Sequence, residues 1–151
     1  MHPRQPYVLG PTDGERLVHF RDGGAITIMV GAATGSSSLA IGTQQVTIGT
    51  GIPMHRHFTM DETFLVVDGQ GTVVLDELRC PIEKGSTIFI PKNTWHAFEN
   101  PDRELVLLWT VTPAGLDSFF RDTCSPPGTP ARLLSRDEIR AIAQTHDTEF
   151  R

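Results

Sequence analysis

The chain has 151 residues, 38% of them apolar, and carries 13 Lys and Arg against 18 Asp and Glu, a formal net charge of −5. That length fits one core-forming domain and cramps two. The acidic balance and the scatter of the cations argue against nucleic acid or an anionic membrane as partner. No apolar stretch approaches the roughly 20 residues of a membrane span. Residues 1–6 are polar and Pro-rich, and read as no secretory leader. Cys80 and Cys124 stand far apart without a CxxC spacing. They read as free thiols, one in a strand wall and one in a loop, so the expected location is the cytoplasm.

In chain order, the middle of the sequence reads as short strands broken by turns. Residues 25–30 are an apolar run after Asp22-Gly23-Gly24, and 39–47 mix polar with apolar before the turn Gly49-Thr50-Gly51. Runs 62–67 and 72–75 flank Asp68-Gly69-Gln70-Gly71, which predicts a hairpin. Asp76-Glu77 leads into 78–82, and Gly85 opens a strand over 86–90 that Pro91 stops. The most apolar run, 105–112, predicts a central strand buried on both faces. A short helix is expected over 116–121, with Phe119 and Phe120 closing a barrel end. The capping box Ser135-Arg136-Asp137-Glu138 opens a second helix to about Thr145, with Leu133, Leu134, Ile139 and Ile142 as its apolar side. Residues 125–130 form a stiff Pro-rich loop.

His55, His57, Glu62 and His96 carry the chemistry. His55 and His57, two apart, share one face of a strand. Three imidazoles and a carboxylate suit one divalent transition metal ion per chain, Fe, Mn, Ni, Cu or Zn, inside a β-barrel. A solitary His on an apolar face is ordinarily a hydrogen-bonded core residue, but three sharing one pattern with a carboxylate favour a metal. Strand alternation sends Pro53 inward with the two histidines, and Met54 and Arg56 outward. Phe64 and Val66 follow Glu62 inward, and Phe98 follows His96, giving an apolar rim to a small-molecule pocket. Trp109 either lines that pocket or fills the back of the core, and Trp95 packs at the mouth. His19 and His146 read as surface residues, and His2 as a poor site near the terminus. Cationic anchors are sparse near the motifs, with Arg56 and Lys92 the nearest.

Gly49, His55, His57, Glu62 and Gly69, separated by five, one, four and six residues, resemble the first motif of the cupin superfamily. Gly85, Pro91, His96 and Asn100 resemble the second. The motif offset selects Glu62 over its neighbour Asp61. Asn93 stands where the second motif usually has Gly, and Asn is the side chain that best tolerates a left-handed turn. The flank from Thr112-Pro113-Ala114-Gly115-Leu116 to Phe119-Phe120-Arg121 is similar to small quercetin-dioxygenase-like cupins.

The resemblance implies an all-β double-stranded β-helix, or jelly roll, as a single domain over 1–151. Its barrel core would span about 25–112, with a helical extension over about 113–151. It also implies a metal inside the barrel and a homodimer, for which the extended Tyr7-Val8-Leu9-Gly10 is the expected contact. The expected function is a metal-dependent, dioxygenase-type oxidoreductase acting on a small hydroxylated, enolic or phenolic substrate. In it Glu62 ligates or swings off as a base with a raised pKa. A non-redox metal-dependent isomerase or lyase, and a non-catalytic small-molecule binding protein, stay open.

Overall fold

The structure, a computed structural model, describes residues 4–151. Five strands lead up to and through the first motif: β1 (Glu15–Val18), β2 (Ala25–Val30), β3 (Ala40–Val46), β4 (Ile52–His57) and β5 (Asp61–Leu75). Four more follow, β6 (Leu78–Glu83), β7 (Thr87–Ile90), β8 (His96–Glu99) and β9 (Leu105–Thr112). Helices α1 (Leu116–Thr123) and α2 (Arg136–Gln144) and a last strand, β10 (Thr148–Phe150), close the described chain. All pairings are antiparallel, in the order β1-β2-β3-β9-β5-β8-β4-β10, with β6 and β7 also on β5. The sheet curls into the expected jelly roll, an all-β barrel with two short helices after it.

β5 is the element that makes the curl. The hairpin predicted at Asp68–Gly71 does not form; the chain runs on as one 15-residue strand. Its first half pairs with β7 and β9, and its second half with β6 and β8. A register shift between Val66 and Asp68 and a left-handed Gly69 (φ 88°) bend it from one sheet to the other. A Cβ at Gly69 would stand 2.0 Å from the Glu104 carbonyl oxygen, so only Gly lets the strands approach there. The turn signal was real, but it marks a bend within a strand.

Two other expectations change. β9 is buried on one face only: Leu105, Leu107, Trp109 and Val111 are buried while Val106, Leu108 and Thr110 are half-buried. An antiparallel sheet covered on one side gives that alternation. Leu133 is 99% exposed, so the apolar side of α2 is left to Leu134, Ile139 and Ile142. The helix itself starts as predicted, with Ser135 Oγ accepting from Glu138 N and Ser135 N donating to the Glu138 carboxylate. Both cysteines are free, and Cys124 is buried.

Asn100, the last residue of the second motif, ties three loops together from a buried position. Its Oδ1 accepts from Gly51 N at 2.9 Å, while its Nδ2 donates to the carbonyls of Val46, Thr47 and Arg103 at 2.9–3.1 Å. Removing the amide would strand these groups away from water. Asn100→Ala is expected to lower unfolding free energy by about 2–4 kcal/mol in a denaturant titration.

Candidate metal centre

Three neighbouring strands bring the four side chains together. β4 supplies His55 and His57, β5 carries Glu62 as its second residue, and β8 opens with His96, which is registered opposite His55. A bulge between Ile52 and His55 breaks the simple alternation, so Pro53 is exposed and does not point inward; Ile52 takes the buried position. His55 and His57 still face in. On the far side of the site, Asn93 adopts the left-handed turn expected of it (φ 67°), and its N–H donates to His57 O at 2.6 Å. The departure from Gly therefore keeps the turn and pins β4.

One ligand atom from each of His55, His57, Glu62 and His96 lies within 4.8 Å of the other three, and all four residues are buried. The outer nitrogen of each ring is already engaged. His55 Nδ1 lies 2.7 Å from Pro53 O and His96 Nδ1 lies 2.9 Å from Thr94 O. A carbonyl can only accept, so both Nδ1 atoms carry the proton. Thr148 Oγ1 spends its own hydrogen on His146 O, and therefore accepts from His57 Nδ1 at 3.0 Å. In the neutral rings every Nε2 is left as a lone pair facing the centre.

Those lone pairs meet a carboxylate. Glu62 Oε2 is 3.2 Å from His96 Nε2 and 3.3 Å from His57 Nε2, the latter without the alignment of a hydrogen bond. Burial works against charge on His57, but the Glu62 carboxylate outweighs it and raises the imidazole pKa. Burial also pushes Glu62 upward, yet His57 and then His96 hold its carboxyl well below the usual range. His55 is pushed well down, by burial first and then by its two histidine neighbours. Charge on either group thus favours charge on the other across 3.3 Å. A divalent cation among these donors would meet three imidazole nitrogens and one carboxylate oxygen, so the donor set fits the ion the motif implies. The raised pKa expected of Glu62 as a base meets the opposite direction here, because its two histidine neighbours favour the carboxylate.

A cavity of about 40 Å³ adjoins the donors, lined among others by Gln44, Phe64, Trp109, Phe119 and Phe120. Trp109 is therefore a pocket residue, and its buried Nε1–H has no partner. Phe64 lines the cavity, whereas Val66 and Phe98 lie behind it in the core. Phe98 packs edge-on to Phe64, with ring centroids 4.8 Å apart. Trp95 sits outside, under the guanidinium of Arg56 at 4.6 Å.

His19 is not a surface residue: it is 3% exposed, stacks on Phe20 and lines the same cavity. Burial lowers its pKa, and its Nδ1 accepts from Arg21 N at 3.1 Å. His146 is half-buried and lies 2.6 Å from Asp122 Oδ2. His2 falls outside the described residues. Cationic side chains are also not sparse. Arg21, Arg132, Arg136, Arg140 and Arg151 line a second cleft of about 420 Å³ that shares Phe20, Arg21 and Phe150 with the metal-site cavity. Their sequence distance from the motifs hid them. No helix among the described residues is long and apolar enough to cross a membrane.

Residues 42–112 match the cupin domain family. The chain is 36% identical over 55 residues to an uncharacterized protein of Methanocaldococcus jannaschii, covering 36% of this chain and 44% of that one. It is 25% identical over 122 residues to quercetin 2,3-dioxygenase of Bacillus subtilis, covering 80% of this chain and 35% of that enzyme. The chain therefore spans less than half the length of these curated relatives. An RmlC-like cupin from Shewanella frigidimarina superimposes with a TM-score of 0.64 at 18% identity, covering 77% of this chain and 99% of that one, a likeness of fold.

Thr148 orients His57 through a buried hydroxyl, and Val has nearly its shape. Thr148→Val is expected to weaken ion binding about 10–100-fold in a chelator-competition titration while the far-ultraviolet dichroism stays unchanged.

Proposed function

Because residues 42–112 place the chain in the cupin superfamily, we propose that it is a metal-dependent oxidoreductase of dioxygenase type. Its substrate is a small hydroxylated, enolic or phenolic molecule. The observation that carries this reading is the convergence of three histidine nitrogens and one carboxylate in a buried pocket. His55, His57, Glu62 and His96 are its ligands for one divalent transition metal ion. A bound ion of this kind supplies Lewis acidity and, when redox-active, an electron route to dioxygen.

The chain's own residues do the rest. Pro53 O, Thr94 O and Thr148 Oγ1 hold the three rings with Nε2 inward. Glu62 is a carboxylate donor to the ion and the candidate acceptor of a substrate proton, with His57 and His96 favouring its ionised form. Phe64, Phe119 and Phe120 keep bulk water away, and the unpartnered Trp109 Nε1–H is a donor for a substrate oxygen. The quercetin 2,3-dioxygenase relative supports a hydroxylated aromatic substrate. The arginine-lined cleft favours a second reading, a non-redox lyase or isomerase of an anionic oxo-acid. The reading places a single domain in the cytoplasm as a homodimer. Tyr7, Val8 and Leu9, which are 44%, 95% and 38% exposed, supply part of the dimer contact.

Protein loaded with Fe, Mn, Ni or Cu should consume oxygen with a flavonol or catechol panel. It should hold about one ion per chain, and His57→Ala or His96→Ala should lower both metal content and rate by about two orders of magnitude. Turnover of oxo-acids with Zn alone would favour the second reading, and no turnover with any metal would leave a binding protein. Sedimentation equilibrium should give a dimer that Val8→Asp weakens; a monodisperse monomer would remove the dimer.

A further inference from the structure

Five of the chain's 13 cationic side chains line one cleft, although the net charge is −5. They come from two separate stretches: Arg21 from the turn after β1, and Arg132, Arg136, Arg140 and Arg151 from the residues around α2 and β10. Its wall holds no Asp or Glu side chain. Among the described residues none of the five pairs with one either, although Arg56, Arg79 and Arg121 all do. Arg21 donates to Gly51 O and Arg132 to Asp122 O, which are neutral carbonyls; the carboxylates of Asp22 and Glu138 act on these two only from beyond ion-pair distance. Arg21 Nε is buried with no partner at all. Crowded guanidinium groups repel one another, and an anion is what relieves that repulsion.

The rest of the cleft is apolar. Leu134 and Ile139 of the α2 segment and the ring of Phe150 form its floor, and its volume of about 420 Å³ suits a small organic molecule. Phe150 is also the boundary with the metal centre, its ring centroid 5.5 Å from that of His55. We propose that this cleft binds an organic carboxylate with an apolar body. The arginines hold the carboxylate, the body lies along Leu134, Ile139 and Phe150, and the far end is directed past Phe150 toward the histidines. A planar guanidinium fork matches a carboxylate in two parallel hydrogen bonds, which explains why Arg and not Lys fills these positions. The direction of the far end rests on the metal-centre reading above; the binding of the carboxylate does not.

Calorimetric titration of 1-naphthoate and the uncharged 1-naphthamide into metal-loaded protein tests this. Naphthoate should bind at least about tenfold tighter than naphthamide, and the exposed double substitution Arg136→Gln/Arg140→Gln should weaken naphthoate at least about fivefold. Lys84→Gln/Lys92→Gln removes the same charge elsewhere on the surface and should leave affinity within about twofold. His57→Ala, which disables the metal centre, should still bind naphthoate, so a failed metal site and a failed cleft give different results. Equal affinity for naphthoate and naphthamide, or an Arg136→Gln/Arg140→Gln protein with wild-type affinity, would overturn the proposal. Loss of naphthoate binding in His57→Ala would place the carboxylate on the ion and overturn it as well.

Discussion

Three imidazole lone pairs and a carboxylate face one another inside this barrel, and that arrangement is repulsive unless a positive charge sits between them. Everything around the site enforces it. The carbonyls of Pro53 and Thr94 and the hydroxyl of Thr148 each take the Nδ1 proton of one ring, so no ring can turn its lone pair outward without losing a hydrogen bond. The outer layer thus fixes the chemical character of the inner one. Without an ion, attraction between a His57 imidazolium and the Glu62 carboxylate does part of that service, raising the pKa of one and lowering that of the other.

The barrel's bends bring the donors within reach. β5 must serve both sheets for Glu62 to lie between His57 and His96, and Gly69 is the hinge that allows it. β10 then seals β4 from outside, pairing Thr148 with His57 and Phe150 with His55. This strand does two jobs at once: it carries the hydroxyl that orients His57, and it puts the aromatic wall between the centre and the arginine-lined cleft.

Much of this was legible in the sequence, and the reason is local geometry. The two-residue spacing of His55 and His57, the offset to Glu62, the capping box at Ser135 and the tolerance of Asn93 for a left-handed turn all act over a few residues. What escaped depends on departures from regular alternation or on distant contacts. A bulge before His55 turned Pro53 outward, and a bend at Gly69 imitated a hairpin. His19 gave no sign of burial, because only the packing of Phe20 and Phe120 around it removes it from water. β10 is three residues long, too short for any periodicity to show. The cationic cleft joins residue 21 to residues 132–151, a meeting that the fold alone creates.

Crystals grown with a divalent transition metal and measured at its absorption edge test the central claim most directly. The account predicts one anomalous peak per chain, about 2.0–2.2 Å from the Nε2 atoms of His55, His57 and His96 and from a Glu62 oxygen. A peak held elsewhere, beside His19 and Asp22 for instance, or rings whose Nδ1 atoms face the centre, would contradict it.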